Sequence, residues 1–276
     1  MTARVRIEMH AHTTVSDGKL DPGELVALAA EKQLTGLVIT DHDTTEAYTE
    51  ELRQAAESKG VTLIGGIEAS GRTPHDDVHL LGIGVDPRHP ALNALTETVK
   101  SARLERGREI VGKLQRLGVK LDWEKVEESA GTVMTRPHVA QALMSGGHVS
   151  DMREAFDRYL ARGADAHVPL RAISASQWME AIHKAGGLAF LAHPGDWTAH
   201  RTIRHLLEIG LDGLEVWHPS HDSTLVEYYR NLADRFGLLT AGGSDFHGRS
   251  EAEFDRFGTM GPLAERWTQI QKRLGH

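Results

Sequence analysis

The chain has 276 residues, of which 40% are hydrophobic and 25% are charged, the composition of an ordinary globular protein. It contains no cysteine, which excludes disulfides, thiolate zinc sites and cysteine nucleophiles and is consistent with a cytoplasmic location. Lysine and arginine number 31 against 39 aspartates and glutamates, a formal net charge of −8, so we expect no partnership with long nucleic acid.

Short apolar runs alternate with helical patterns through most of the sequence. In chain order, strands are predicted at 5–10, 37–40, 61–64, 78–81, 188–191, 213–217 and 238–241. Capping signals at Asp21, Asp43 and Ser174 predict the starts of intervening helices. About seven such units predict an α/β fold with parallel strands in a closed or nearly closed barrel, with an open doubly wound sheet as the alternative.

The segment 91–170 interrupts this alternation. It is charged, carries apolar residues at helical spacing around 110–117, shows further helix starts at Asp122 and Asp151, and contains no strand pattern. We therefore predict a helical subdomain at 91–170, inserted into an α/β body formed by 1–90 and 171–276. No apolar run approaches the ~18 residues of a membrane span, and no obligate protein partner is expected.

Histidine is unusually frequent, with 17 residues against 15 aromatic ones. His10 and His12 are two residues apart at the end of the first predicted strand, so their side chains point to the same face. Asp17 has an ordinary explanation as a turn residue, and Asp43 as a helix cap. His79, inside an apolar strand, would usually be a core histidine.

Taken together, these positions form a pattern. Nine residues with side chains that bind metals lie at or near the ends of predicted strands: His10, His12, Asp17, His42, Glu68, His79, His193, Asp245 and His247. Parallel barrels place their active sites at the carboxyl ends of the strands, and unrelated structural histidines have no reason to collect there. The sequence therefore predicts one metal centre built from residues spread along the chain.

The predicted ligands limit the chemistry of this centre. Six histidines and three carboxylates without a thiolate suit Mn²⁺, Fe²⁺ or Zn²⁺ rather than Ca²⁺, and we expect Mn²⁺. Nine ligands are too many for one tetrahedral ion, so two or three divalent ions are predicted. Such a centre stays strongly positive despite three carboxylates, and it would attract an anion and deprotonate water near neutral pH. Phosphate esters meet both demands.

The ordered series HAH, SDG, TDHD, GIE, VHLLGIG, AHP and GGSDFH resembles the PHP (polymerase and histidinol phosphatase) family of metal-dependent phosphoesterases. This resemblance implies a distorted TIM-like (β/α)7 barrel that binds two or three metals. It also implies three ligand groups: His10, His12, Glu68 and Asp245 for one ion; Glu68, His79 and His193 for a second; and Asp17, His42 and His247 for a third.

The insertion and one later loop carry candidate substrate contacts. Arg136 and His138 lie at a predicted helix start, and Arg suits bidentate recognition of phosphate. The segment resembles an inserted helical domain of PHP nucleotide phosphatases that closes over the barrel, which implies catalytic and substrate-binding roles for both residues. A similar resemblance implies such roles for His221. His218 is predicted to be a surface or structural residue, and Trp197 a rim or core aromatic, with base stacking as the alternative.

The best subfamily resemblance is to phosphatases that remove the 3′-phosphate of nucleoside 3′,5′-bisphosphates. We expect attack by a metal-bound hydroxide, with a phosphate held by Arg136 and a proton supplied by His221 or His138. One alternative is a 5′→3′ exoribonuclease acting on short 5′-phosphorylated RNA, and another is a histidinol phosphate phosphatase. The non-enzymatic alternative is a structural PHP module, which the complete set of nine candidate ligands disfavours.

Overall fold

The structure, a computed structural model, describes residues 6–171, 173–261 and 264–275. The chain divides into two compact units. The first comprises the described residues up to Thr96 and from Ile173 onward, and the second those between Glu97 and Ala172.

Nine strands form two sheets within the described residues. In chain order they are β1 Ile7–Glu8, β2 Gly36–Val38, β3 Thr62–Ile64, β4 Gly66–Arg72, β5 Asp77–Ile83, β6 Ile173–Ser174, β7 Leu188–Leu191, β8 Gly213–Trp217 and β9 Leu239–Gly242. The first sheet has the order β1-β2-β3, and the second has the order β6-β4-β5-β7-β8-β9. Isolated bridges join Ala11 to Phe246 and His42 to Glu68. The α/β class is confirmed, whereas closure into one continuous barrel is not.

The helices of the described residues are α1 Pro22–Glu31, α2 Glu50–Ser58, α3 Pro90–Arg116, α4 Trp123–Ser129, α5 Arg136–Ser145, α6 Met152–Ala155, α7 Ala175–Lys184, α8 His200–Glu208, α9 Ser223–Phe236, α10 Glu251–Arg256 and α11 Ala264–Leu274. A π-helix, Phe156–Leu160, continues α6. None of the helices formed by described residues is both long and apolar enough to cross a bilayer.

Two of the three predicted helix caps are found. Asp21 accepts the backbone N–H of Glu24 in a capping box at α1, and Ser174 caps α7 in the same way. The prediction for Asp43 is wrong, because α2 is capped by Thr49. Asp43 instead has a positive φ of 52° and accepts the backbone N–H of Ser70, so it ties the loop after β2 to β4.

The expectation of uniformly parallel strands is also wrong. β4 was not predicted, because Gly66–Arg72 contains two glycines and a serine in place of an apolar run. It pairs antiparallel with β5, since the four residues 73–76 are too few for a crossover helix. β5 in turn pairs antiparallel with β7, whereas β1-β2-β3 and β7-β8-β9 are parallel.

The cores of the first unit fix the strand ends. One core packs Leu37 and Ile39 beside Phe246, and another packs Met9 against Phe190 and Ala241. Burying these apolar side chains contributes roughly 1.5–3 kcal/mol for each large one. The loops that follow β1, β2, β7 and β9 therefore start from well-anchored positions.

The second unit contains helices and, among its described residues, no strand. Its own core includes Ile110, Leu114, Val126, Leu143 and Leu160. The predicted helix starts at Asp122 and Asp151 are found as the N-caps of α4 and α6. The function of segment 91–170 as a substrate cap stays a prediction.

Candidate metal centre

All nine predicted metal ligands lie in the first unit, and most follow a strand directly. His10 and His12 come after β1, His193 after β7, and Asp245 and His247 after β9. Because these strands are parallel, side chains that are far apart in the sequence lie close together where the strands end.

Glu68 and His79 reach the same place by a different route. Both lie within the β4–β5 hairpin, where Ser70 is paired with His79. Glu68 is two residues from Ser70, so it shares a face of the sheet with His79. The Nδ1 atom of His79 is accordingly 2.7 Å from Oε1 of Glu68. The antiparallel pairing that the sequence did not reveal brings these two residues together.

The candidate ligand atoms form three overlapping groups, and within each group they lie within 4.8 Å of one another. The groups are His10, His12, Glu68 and Asp245; His42, Glu68 and His79; and His12, Asp17, His42 and His247. His193 adjoins the second group, since its Nε2 lies 2.9 Å from Oε1 of Glu68. The structure thus brings the nine predicted residues into one continuous cluster.

Glu68 connects the groups, and its two oxygens face different sets of histidines. Oε1 faces His79 and His193, whereas Oε2 lies 3.0 Å from Nδ1 of His42 and 3.2 Å from Nε2 of His12. Its side chain is 1% exposed. A buried carboxylate that divides its oxygens in this way has the geometry required to bridge two ions.

The hydrogen bonding within this cluster is incomplete. His10 Nε2, His12 Nδ1, His42 Nδ1 and Glu68 Oε2 are buried and make no well-directed hydrogen bond within the described residues, although the atoms of His42 and Glu68 are 3.0 Å apart. Unpaired buried polar atoms are rare and costly in folded proteins. Four of them converging from β1, β2 and β4 fit divalent ions, for which imidazole and carboxylate are suitable ligands.

The charges of the cluster also fit cations. Burial raises the pKa of the Glu68 carboxyl, but His42, His79 and His10 outweigh it and hold that pKa well below its usual range. The pKa values of Asp17 and Asp245 are lowered in the same way, against their burial, by neighbouring histidines. Three carboxylates are therefore ionised in one small volume.

The histidines would have to lose protons when ions bind. Burial lowers the pKa of His12, but its contacts with Asp245 and Glu68 raise it to about 10. An imidazole binds a metal only through an unprotonated nitrogen, so ions and protons compete for this residue. Metal affinity should therefore increase with pH.

Comparison with known proteins identifies the family. The model of the PHP domain family matches residues 8–170, which is more than half of the chain. The chain belongs to the PHP domain family. It is therefore a phosphoesterase, a hydrolase of phosphate esters.

Relatives with assigned activities cover most of this PHP domain. A 3′,5′-nucleoside bisphosphate phosphatase of Chromobacterium violaceum is 33% identical over 97% of this chain and 97% of its own length. A 5′-3′ exoribonuclease of Haemophilus influenzae is 34% identical over 88% of this chain and 90% of its own. Two relatives of nearly equal identity thus carry two different activities.

A solved structure supports the fold. A protein of Bifidobacterium adolescentis that has been assigned as a metal-dependent phosphoesterase superposes with a TM-score of 0.88 at 29% identity. The match covers 98% of this chain and 96% of that one. The α/β fold described above is therefore that of a PHP phosphoesterase.

Glu215, which was not among the predicted residues, holds two of the predicted ligands. It lies in β8 and is 0% exposed. Its carboxylate accepts the Nδ1–H of His10 at 2.8 Å and the backbone N–H of His193 at 2.6 Å. In the neutral imidazole of His10, this bond keeps the proton on Nδ1, so that Nε2, which is directed at Glu68 and Asp245, can bind a metal. The available signal was an acidic residue inside an apolar strand.

His218, predicted to be a surface or structural residue, lies beside the cluster. It is 7% exposed, and its Nε2 lies 3.4 Å from Asp245 Oδ2. Its ring centroid is 5.3 Å from that of His193. The imidazole of His218 therefore borders the predicted metal centre of this PHP domain.

Asp17 is also less exposed than a turn residue at a rim would be. Its side chain is 2% exposed, and Arg249 binds both its Oδ2, at 3.1 Å, and its backbone carbonyl. The other oxygen, Oδ1, lies 3.4 Å from Nε2 of His247. Arg249 thus orients Asp17 so that one oxygen remains directed into the cluster.

Two of the predicted ligands have an unusual backbone conformation. His193 and Asp245 have φ values of 26° and 49°, a region that residues other than glycine rarely adopt. Gly243 lies so close to β1 that a Cβ on it would come within 2.4 Å of the His10 Cβ. Glu8 accepts the backbone N–H groups of His10 and Ser244, which joins the two loops at this point.

The predicted substrate contacts of the insertion lie in the second unit. Arg136 is the first residue of α5, donates to the carbonyl of Leu160 and stacks over the ring of Phe156. Nδ1 of His138 accepts the backbone N–H of Thr135. These contacts fix both side chains at the start of α5, and their roles towards a substrate stay predictions.

His221 has a contact on each ring nitrogen. Its Nδ1–H donates to the carbonyl of Val216 at 2.9 Å, and its Nε2 accepts the backbone N–H of Gly195 at 3.0 Å. Burial and the nearby His218 lower its pKa, which favours this neutral form. The predicted proton transfer from His221 would require one of these bonds to open.

The substitution Glu215→Gln tests the positioning of His10. We expect it to weaken Mn²⁺ binding by about 10- to 100-fold, because the amide lacks the charge and one of the two acceptor oxygens. Competition with a chromophoric chelator measures this affinity directly. Glu180→Gln, at an exposed glutamate paired with Lys184, is the matched control and should leave the affinity unchanged. Unaltered affinity in Glu215→Gln would show that the pairing with His10 does not support metal binding.

Proposed function

We propose that this PHP domain hydrolyses the 3′-phosphate of nucleoside 3′,5′-bisphosphates. The observation that carries the proposal is the cluster of three overlapping ligand groups around Glu68, which fits two or three divalent ions next to one another. When bound, such ions supply Lewis acidity that activates water near neutral pH and offsets the charge of a phosphate. The bisphosphate phosphatase relative, which matches over 97% of both chains, supports this substrate class.

The residues of the chain have separate tasks in this proposal. One ion would be held by His10, His12, Glu68 and Asp245, a second by His79 and His193 together with the shared Glu68, and a third by Asp17, His42 and His247. Arg136 would hold a phosphate through its guanidinium, and His138 or His221 would donate the proton that the leaving oxygen requires. For His221, whose proton lies on Nδ1, this step needs the bond to the Val216 carbonyl to open.

The identity of the ions and the setting of the enzyme are further parts of the proposal. The mixed imidazole and carboxylate set favours Mn²⁺, with Fe²⁺ or Zn²⁺ as alternatives. The substrate is a small nucleotide or a short RNA, and we place the enzyme in the cytoplasm, in keeping with a chain that has no cysteine.

The second candidate function is a 5′→3′ exoribonuclease on short 5′-phosphorylated RNA. The exoribonuclease relative favours it, because its identity to this chain equals that of the phosphatase within one percentage point. In both reactions water attacks the phosphorus attached to a 3′-oxygen, a nucleotide with a 5′-phosphate leaves through that oxygen, and the same ions would be used. They differ in the ester that is attacked, which is a terminal phosphate monoester in the bisphosphate and a diester joined to the rest of the chain in RNA.

A phosphate-release and product screen in Mn²⁺ separates these functions. The substrates are adenosine 3′,5′-bisphosphate, adenosine 3′- and 5′-monophosphates, a 5′-phosphorylated trinucleotide and histidinol phosphate. We expect the highest kcat/KM for the bisphosphate, with inorganic phosphate and adenosine 5′-monophosphate as products. Stepwise release of mononucleotides from the trinucleotide at a higher kcat/KM would favour the exoribonuclease. A preference for histidinol phosphate would overturn the nucleotide assignment.

A further inference from the structure

We propose that Trp197 is a stacking platform for the nucleobase of the substrate. The inference rests on the proposed function, because it assigns the base of the same nucleotide to a surface beside the metal centre. Trp197 is 64% exposed, the highest value among the exposed large hydrophobic side chains of the described residues. Single exposed aromatics are common, so exposure alone is insufficient. Two further features distinguish Trp197 from other exposed aromatic residues: its ring rests on a fixed backbone segment, and it lies close to the metal centre.

The indole of Trp197 rests directly on the backbone of Gly195. A Cβ on Gly195 would come within 2.4 Å of Cζ3 and Cη2 of Trp197, and Gly195 has a positive φ of 57°. A side chain at this position would displace the ring. The backbone of Gly195 therefore covers one side of the indole, and the rest of the ring is exposed to solvent.

Gly195 is itself held by two buried side chains. Its N–H donates to His221, as described above, and its carbonyl accepts the hydroxyl of Tyr229 at 2.6 Å. The ring of Tyr229 also stacks on that of His221, with centroids 5.4 Å apart. The platform is thus fixed before any ligand arrives, which reduces the entropy lost when a planar group stacks on it.

The platform lies next to the metal centre. Trp197 follows His193 by four residues, a separation of at most about 14 Å in an extended chain. The ring of His218 connects the two regions, with centroids 5.3 Å from His193 and 5.6 Å from His221. A nucleotide whose 3′-phosphate is at the ions would place its base within this range.

Stacking on one aromatic ring recognises a base without reading its hydrogen-bonding edge. The platform should therefore accept all four bases and favour purines, which offer the larger ring surface. Its contribution should be absent for a substrate that has the same sugar and phosphates but no base. This difference gives the inference its test.

The experiment compares Trp197→Ala and Trp197→Phe with the wild-type enzyme on two substrates. One is adenosine 3′,5′-bisphosphate, and the other is 1,4-anhydroribitol 3,5-bisphosphate, which lacks the base. From the usual contribution of one stacked base, we expect Trp197→Ala to raise KM for the nucleotide about 10- to 100-fold, with kcat within about twofold. The kcat/KM for the base-free substrate should change less than about threefold, and Trp197→Phe should recover most of the loss.

Phe236→Ala is the matched control, because Phe236 is also an exposed aromatic residue but lies at the other end of β9 from the cluster. Phe236 ends α9 and comes before β9, whereas the predicted ligand Asp245 comes after β9. It should behave as the wild type on both substrates. An equal loss on the two substrates in Trp197→Ala, or an unchanged KM for the nucleotide, would overturn the platform.

Calorimetric titration with adenosine 5′-monophosphate separates this inference from the proposed function. If the wild type releases no phosphate from the bisphosphate, but Trp197→Ala binds the monophosphate more weakly than the wild type does, the proposed function is wrong and the platform is supported. If the bisphosphate is hydrolysed and the variant binds the monophosphate normally, the platform fails and the function stands. Absence of both hydrolysis and Trp197-dependent binding would overturn both.

Discussion

Replacing Glu68 by Gln should lower kcat/KM for a phosphate ester by about 10³-fold or more, equivalent to roughly 4 kcal/mol of lost transition-state stabilisation. Glu68 is shared by two of the three ligand groups, and its two oxygens face five histidines. The amide has the same shape, but it lacks the negative charge and one of the two lone-pair-bearing oxygens. Steady-state kinetics in saturating Mn²⁺ measures the loss.

The control for this variant is again Glu180→Gln, which removes one exposed carboxylate from the same protein. It should retain wild-type kinetics. Far-ultraviolet circular dichroism should show that Glu68→Gln remains folded, because Glu68 is not part of the apolar cores. A folded Glu68→Gln variant with more than a tenth of the wild-type kcat/KM would show that Glu68 does not bridge the ions.

Removal of divalent ions by a chelator should abolish hydrolysis, with a loss of at least about 10³-fold in kcat. Without cations, a phosphate would approach the ionised carboxylates of Asp17, Glu68 and Asp245, whose pKa values are all lowered in this cluster. Adding Mn²⁺ back should restore the rate. Because the cluster is rich in imidazole, Ca²⁺ should restore it poorly.

The same titration reports on stability. Ligands that bind only the folded state stabilise it by about 2.7 kcal/mol at a concentration of 100 Kd, so Mn²⁺ at that level should raise Tm by roughly 5 °C or more. The Glu68→Gln variant should show a smaller increase. Full activity after exhaustive chelation, verified by metal analysis, would contradict a metal-dependent reaction.

The clustering of the candidate ligands could be predicted from the sequence because parallel strands impose a simple rule. His10, His12, His193 and Asp245 each follow a strand that ends at the same edge, so their position in the sequence determines their position in space. Ligand-type residues spaced two apart reinforced the prediction.

The antiparallel part of the sheet could not be predicted in this way. β4 has too few apolar residues to show a strand pattern, so the β4–β5 hairpin was hidden and β5 was interpreted as another parallel strand. Glu68 and His79 were still chosen correctly as residues of the cluster, although the reason given for their position was wrong. Pairing between strands depends on tertiary contacts that a local pattern does not contain.

Residues that hold the ligands were also hidden. Glu215 lies in an apolar strand, and His218 follows that strand without a recognisable motif. Asp43 had a complete local explanation as a helix cap, yet the fold uses it to bind the backbone of Ser70. Such roles depend on partners far away in the sequence, so a single chain gives little sign of them.

The central claim is that residues from the whole length of the chain bind divalent ions in one cluster. Crystals grown with Mn²⁺ and measured at the manganese absorption edge test it most directly. We predict two or three anomalous peaks, one of them between His10, Glu68 and Asp245, with Glu68 in contact with two ions. The absence of an anomalous peak among these three residues, in crystals of protein shown to be active, would contradict the account.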